Sequence, residues 1–418
     1  MEETIVIAGA GAAGLLAARE LSKSGYKVII TEANNRVGGR IHTLSAGHFN
    51  QHTEAGAEFI HGKLPITFKL LREANISFEK VDGEMYQVNN GHWKKQEDMA
   101  PHWNELINRM KSLDEDMTIA GFLQKYFPGP PYADLREQVA RFAEGFDVAD
   151  ISKASVFAVR NEWQDEMENT FRVNGGYGQL VDYLKNECLA AGCELVTNCL
   201  VKDIEWKKHH VKLSAANGVV VEGNRCIITV PVGVLQNDAL HFSPAIDDYI
   251  SAAKQIGFGS VVKILFQFKE PFWLSNADDV GFIFSKEIIP TWWTQLPSNS
   301  GLLTGWLGGQ QVLRVKGRSQ KEIGEIAIDS LSKTVNIPAA DLKAMLIAQE
   351  VHDWSSNPFS QGAYSYSMLP TSEARKKFCQ PVDDTIYFAG EGYYEGSSSA
   401  TVEAALDSAR KVVEKIQK

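Results

Sequence analysis

The opening 32 residues constrain the fold more than any other part of the chain. Residues 4–8, Thr-Ile-Val-Ile-Ala, form an unbroken apolar run, the pattern of a strand buried on both faces of a parallel sheet. Gly9, Gly11 and Gly14 follow in the spacing G-x-G-x-x-G, with Ala13 inside it. Apolar periodicity then predicts a helix over about 12–24, with Leu15, Leu16, Ala18 and Leu21 on one side and Gly25 as its stop. A second strand is predicted over 27–31, with Glu32 at its end. In such a unit Gly9 permits the tight turn, Gly11 lets backbone approach a pyrophosphate, and Gly14 lets helix and strand pack closely. The helix N-terminus offers free N–H groups to phosphates, and the acid accepts ribose hydroxyls. The unit therefore predicts dinucleotide binding but does not separate NAD from FAD.

The remaining composition excludes several classes. The chain has 418 residues, room for two or three domains, discontinuous ones included. Its net charge of −10 argues against non-specific binding to nucleic acid or anionic membranes. No apolar run reaches the ~20 residues of a membrane helix. The acidic start, Met-Glu-Glu-Thr, is not a secretory signal. The five cysteines are odd in number and include no C-x-x-C, so neither a disulfide framework nor a zinc site is expected, and no metal is assigned. Free thiols in a reducing cytoplasm are the expectation.

The residues after the acid sharpen the cofactor. Glu32-Ala33-Asn34-Asn35-Arg36-Val37-Gly38-Gly39-Arg40 resembles the E-A-x-x-R-x-G-G-R stretch of the flavin-containing amine oxidase superfamily, which includes monoamine and polyamine oxidases. The resemblance implies FAD, with Ala33 and the pair Gly38 and Gly39 beside it and Arg40 at its phosphate region. Glu54-Ala55-Gly56-Ala57-Glu58-Phe59-Ile60-His61-Gly62 is similar to the family segment that passes along the flavin ring. That likeness assigns Gly56, Ala57 and Glu58 to the cofactor. The Ile-His-Gly ending looks most like the polyamine oxidase and histone demethylase branch. His61 reads either as a satisfied loop histidine or as a pocket histidine beside the flavin. No arginine lies between Arg40 and Arg72 to clamp a substrate carboxylate, which favours an amine over an amino acid.

Residues 63–173 have helical patterning, broken at Pro128, Pro130 and Pro131, and are read as part of a substrate-facing domain. Val173-Asn174-Gly175-Gly176-Tyr177-Gly178 resembles the family's re-entry into its FAD domain, ahead of a helix over about 178–191. Strand-like runs follow, and the resemblance places Val201 at the adenine. Cys226–Leu235 resembles V-T-V-P-x-G-V-L, whose proline ends a buried strand.

The strand predicted within Gly259–Trp273 puts Val261, Lys263, Leu265 and Gln267 on one face and Val262, Ile264, Phe266 and Phe268 on the other. On its residues alone, Lys263 is either an amine snorkelling to water or a buried lysine that needs a partner. The stretch resembles G-S-V-x-K…K-E-P-F-W of monoamine oxidases, which implies that Lys263 holds a water at flavin N5. Trp354 and Tyr364 match W…S-x-G-x-Y-[ST], which implies Trp354 against the flavin and Tyr364 as one wall of an aromatic cage; ring faces attract ammonium groups. Covalently flavinylated relatives carry a cysteine where this chain has Ala363, so the FAD is expected to be non-covalent. Gly390, Glu391 and the helix start at Ala400, Thr401 and Val402 resemble the family's closing flavin contact. The family's E-H-T is Glu391-Gly392-Tyr393 here, and Thr401 aligns with the second cage tyrosine. The cage is thus either half-built or completed by Tyr393 or Tyr394.

Together these motifs imply an α/β chain: a Rossmann-type FAD-binding domain (1–75, 174–255 and 376–418) with an inserted α+β substrate domain (76–173 and 256–375). The implied activity is hydride transfer from the carbon next to an amine to flavin N5, with O2 reduced to H2O2 and the imine hydrolysed to an aldehyde. The assigned catalytic set is Lys263, Tyr364, His61 and Thr401. No second dinucleotide fingerprint is visible, which favours O2 over NADPH. A desaturase or dehydrogenase on the same fold, or a non-catalytic flavoprotein, are the alternatives; the absence of a long helical-hairpin insertion disfavours histone demethylation.

Overall fold

A computed structural model describes residues 3–47, 49–96, 101–165, 169–396 and 398–418. Five parallel strands form one sheet in the order Glu194–Val196, Lys27–Thr31, Thr4–Ala8, Arg225–Ile228, Ile386–Phe388. The unbroken apolar run of the first strand follows from its position, because both faces are covered. Ile5 and Ile7 join a cluster with Leu15, Leu21, Leu180, Leu184, Leu406 and Ala409 from the helices Ala12–Lys23, Gly178–Ala190 and Val402–Ile416. Val6 and Ala8 join another, with Ile204 and Leu213 of a four-stranded sheet and with Tyr249 and Phe378. The chain leaves the first strand toward Lys27–Thr31 on one side and returns to Arg225–Ile228 on the other. The carboxyl end of Thr4–Ala8 is therefore the switch point at which open α/β sheets bind ligands.

A second sheet has seven strands in the order Leu346–Asp353, Val261–Phe268, Leu302–Gly308, Thr291–Trp293, Val280–Phe284, Glu84–Asn89, His92–Lys95. The alternation expected for residues 261–268 is present. Val262, Ile264, Phe266 and Phe268 pack with Ile323, Ala327, Ile328 and Leu331 of the helix Gln320–Val335. The Lys263 face turns toward the first sheet and is also buried.

The stretch 63–173 is less helical than its patterning predicts. Helices do form at Pro65–Glu73, Trp103–Lys111, Ile119–Tyr126, Ala133–Gly145 and Val156–Asp165. Strands Phe78–Lys80, Glu84–Asn89, His92–Lys95 and Thr170–Val173 lie among them. The cause is visible in the residues. Tyr86 and Val88 alternate with less buried neighbours, and Asn90-Gly91, both at positive φ (48° and 77°), make the two-residue turn that folds a hairpin. Among the described residues, no helix is long and apolar enough to cross a membrane, and no three His, Cys, Asp or Glu side chains converge as a metal site. None of the five cysteines is paired.

Candidate active site

One cavity of about 1650 Å³ runs from the switch point to the seven-stranded sheet. Small-molecule pockets usually hold about 300–1,000 Å³, so this one has room for a dinucleotide and a second ligand.

At the first end lie Gly9, Gly11, Ala13, Glu32 and Ala33. Gly14, assigned to the cofactor from its motif, does not line the cavity. A Cβ there would sit 2.0 Å from the Gly9 carbonyl oxygen, so its role is the close packing of helix on turn. No side chain caps the helix Ala12–Lys23 and no acid sits in its first turn, which leaves its N-terminal N–H groups available. A Cβ on Gly11 would meet nothing within 4 Å. Glu32 accepts from the Ala10 N–H at 2.9 Å and the Asn34 N–H at 2.8 Å, so it fixes the turn as well as facing the cavity. Val201 lines the same end.

Gly38, Gly39 and Arg40 continue the wall, and Arg36 folds their turn by donating to the carbonyls of Val37, Gly39 and Ile41. Arg40 Nη1 donates to Glu391 Oε1 at 2.6 Å and to the Ala363 carbonyl at 2.7 Å. Its Nε and Nη2 have no acceptor among the described residues, a donor set suited to a phosphate. Glu391 also accepts from Ser365, and the Arg40 guanidinium helps hold its carboxyl low against the cost of burial. These bonds tie three remote segments to one edge of the cavity.

Gly390, Ala400, Thr401 and Val402 line the far side of this edge. Ala400 has φ 64°, an uncommon conformation for a residue with a Cβ. Thr401 is the N-cap of the last helix: its Oγ1 accepts from the Ala404 N–H at 3.1 Å and donates to the Ser398 carbonyl at 2.6 Å. Its hydroxyl is thus committed to the cap, a structural role that leaves it on the cavity wall. Glu403, in the first turn, instead caps the helix Pro65–Glu73 through the N–H groups of Ile66 and Thr67.

Gly56, Ala57, Glu58 and His61 line the middle. A Cβ on Gly56 would stand 1.9 Å from the Arg40 carbonyl oxygen, so only glycine permits this crossing. The His61 ring packs 5.8 Å from Phe59 and 5.6 Å from Phe146, and its Nδ1 lies 3.2 Å from Thr170 Oγ1. Burial lowers His61 to about 4, so it is neutral at pH 7 and does not repel a cation.

Lys263 is 1% exposed, which rules out an amine snorkelling to water. Its Nζ donates to Glu58 Oε2 at 2.7 Å and to the Gly56 carbonyl at 3.1 Å, and lies 5.4 Å from the centroid of Trp293. Trp354 donates from Nε1 to the Ala55 carbonyl at 2.9 Å. Ala363 and Tyr364 follow on a loop pinned to Gly259 by paired backbone bonds of 2.7 and 2.8 Å.

Neither Tyr393 nor Tyr394 completes a cage. Tyr393 donates to the Val230 carbonyl and packs against Phe378 and Phe388, in the core behind the first sheet. Tyr394 is buried, with the Lys411 amine over its ring, and neither tyrosine lines the cavity. The rings that share a cluster with Tyr364 are Trp354 and Trp306, the latter directly opposite Lys263 in the sheet register. Trp306 Nε1 and Tyr364 Oη donate to the successive carbonyls of Gly145 and Phe146, each at 2.6 Å. The Trp306 and Tyr364 rings are therefore held by their polar tips at one helix end. Trp306 and Trp293 beside Lys263, and Phe146 beside His61, escaped the sequence reading, because these contacts depend on register and tertiary packing.

Comparisons with known proteins agree with this fold. The chain resembles rice polyamine oxidase 4 (Oryza sativa subsp. japonica) with 26% identity, over 98% of this chain and 88% of that protein. It resembles an Arabidopsis thaliana lysine-specific histone demethylase 1 homolog 3 with 25% identity, over 93% of this chain but only 28% of that protein. Among solved structures, putrescine oxidase bound to putrescine superposes with a TM-score of 0.80 at 20% identity, covering 100% of this chain and 99% of that one. Cyclohexylamine oxidase from Brevibacterium oxydans gives 0.81 at 18%, with both chains fully covered. These two establish the fold alone. The model of the flavin-containing amine oxidoreductases matches residues 12–128 and 125–417, and the chain belongs to that family.

Proposed function

We propose that this chain oxidises an amine lacking an α-carboxylate to an imine, using non-covalent FAD and O2. The observation that carries the reading is the buried Lys263 on the wall of a cavity that starts at a dinucleotide cradle and continues between aromatic rings. When bound, FAD supplies the two-electron chemistry, taking hydride from the carbon next to nitrogen and passing the electron pair to O2, which leaves with two protons as H2O2. The substrate nitrogen gives up a proton, and water hydrolyses the imine to an aldehyde and the residual amine.

The chain's own residues bind and orient. The N-terminus of Ala12–Lys23 and Arg40 take the phosphates, Glu32 the ribose and Val201 the adenine side. Tyr364 and Trp306 flank the substrate nitrogen, whose positive form is attracted to ring faces. Neutral His61 and Phe146 exclude water. Lys263 directs its remaining N–H to a water at the reacting edge. Arg172, which folding brings onto Glu58, is spent on that carboxylate and on the carbonyls of Leu296 and Thr294, and it does not line the cavity. It is therefore not a carboxylate clamp. The division into a FAD-binding part (1–75, 174–255, 376–418) and a substrate part (76–173, 256–375) belongs to the same reading, supported by the separate apolar clusters around the two sheets.

Oxygen-electrode assays of the FAD-loaded protein with primary amines and polyamines test it. One O2 consumed and one H2O2 released per aldehyde is the expected balance. Aldehyde without O2 consumption would remove O2 as the acceptor, and no aldehyde from any amine would remove the activity.

A further inference from the structure

Glu58 is the most heavily bonded carboxylate near the cavity. It is buried, and four donors converge on it: Lys263 Nζ at 2.7 Å, Arg172 Nη2 at 2.9 Å and Nε at 3.2 Å, and Trp293 Nε1 at 3.0 Å. The donors come from three separate strands, Val261–Phe268, Thr170–Val173 and Thr291–Trp293. The strand containing Arg172 pairs with Phe59, next to Glu58, so the carboxylate and the guanidinium are also fixed by backbone register. We propose that Glu58 is the positioning residue of this site: it anchors Nζ of Lys263, supplies the one anion in direct contact with two cations, the buried Lys263 and the half-buried Arg172, and leaves a single lysine N–H for the reacting edge. This rests on the reading of Lys263 as the cofactor-side lysine.

Charge counting makes the proposal specific. Lys263 and Arg172 carry two positive charges, and Glu58 one negative, so these three groups hold one net positive charge around a carboxylate and an amine that are both buried. Glu58→Gln raises that to two. A guanidinium does not give up its proton in proteins, whereas a buried ammonium does. Of the two cations left without Glu58, Lys263 is therefore the one able to discharge. Two of the three lysine N–H groups are spent on Glu58 and Gly56, so loss of Glu58 also frees the amine to swing.

Other titratable groups face Lys263. Glu54, from the short strand before Gly56, is raised to about 7 by burial. His352, across the strand from Lys263, is lowered to about 4 by burial, with His42 and Arg36 behind it. Above pH 8 Glu54 is ionised and these imidazoles are neutral, in wild type and variant alike, so they add no slope of their own in that window.

Urea unfolding of the FAD-loaded full chain, measured from pH 8 to 10 for wild type, Glu58→Gln and Glu58→Gln/Lys263→Met, tests the proposal. A proton absent from folded Glu58→Gln but bound by the unfolded chain makes its unfolding constant fall, relative to wild type, by about tenfold per pH unit. The double variant should run parallel to wild type. Parallel curves for wild type and Glu58→Gln, or a slope that persists without Lys263, would overturn the proposal. If Glu58→Gln does not fold, nitrogen-15 spectra of lysine-labelled wild type decide instead. The resonance lost in Lys263→Met should be a slowly exchanging ammonium at pH 7.5, and a neutral amine there contradicts the role given to Glu58. None of these measurements depends on amine turnover, so failure of the proposed activity and failure of this inference are separable.

Discussion

Glu54→Gln should make the protein's stability less dependent on pH between 5 and 8. Glu54 is buried, accepts the Tyr177 N–H at 2.5 Å and faces the Thr43 hydroxyl with both oxygens at 2.9 Å. Burial is the largest influence on it and raises its carboxyl from 4.5 to about 7, outweighing these hydrogen bonds. A carboxyl raised on folding stabilises the native state below its unfolded value, and that contribution is lost as pH rises through the folded value. A shift of about 2.5 units at 1.36 kcal/mol each amounts to about 3 kcal/mol, lost between about pH 5 and 8. Glutamine keeps the acceptor for Tyr177 and cannot ionise. His42, His61 and His352, all lowered to about 4 mainly by burial, titrate in both proteins and cancel in the difference. Urea unfolding at half-unit pH steps should therefore show wild type losing about 3 kcal/mol relative to Glu54→Gln. A flat difference would mean that Glu54 is ionised throughout and that its hydrogen bonds outweigh its burial.

Two further outcomes follow from the cavity. Ala363, at the cysteine position of covalent relatives, predicts that acid precipitation releases the flavin into the supernatant; yellow retained in the pellet would contradict it. Lys263→Met should still bind FAD, because the phosphate donors and the ribose acceptor lie elsewhere, but stopped-flow reoxidation by O2 should slow about 10²–10⁴-fold. It should also lose about 3 kcal/mol of stability, the low end for breaking a buried pair, since Arg172 and Trp293 still satisfy Glu58. Unchanged reoxidation would reduce Lys263 to a structural residue.

The dinucleotide cradle was legible because strand, glycine turn, helix and acid are contiguous, and each spacing has one structural reading. The two faces of Val261–Phe268 were legible from their period of two. Legibility fails where function depends on strand register. Trp306 stands opposite Lys263 only because two strands distant in sequence pair antiparallel, and Arg172 reaches Glu58 only through the pairing of Thr170–Val173 with Phe59–His61. The second cage tyrosine of the family aligns with Thr401, which leaves Tyr393 or Tyr394 to complete the cage, but the backbone at 393–394 turns into the core behind the first sheet, where Tyr393 finds the Val230 carbonyl. The hairpin at Glu84–Lys95 is different: its Asn90-Gly91 turn is a local signal, but the reading of 63–173 as helical does not use it.

The substrate class is the claim on which the account stands or falls. Anaerobic stopped-flow mixing of the FAD-loaded protein with an amine and with the α-amino acid of the same side chain, followed as flavin bleaching, tests it directly. A cavity walled by Tyr364, Trp306 and a neutral His61, with Arg172 engaged behind Glu58, predicts faster bleaching by the amine. Faster bleaching by the amino acid, or none by either across a panel of primary amines and polyamines, would contradict it.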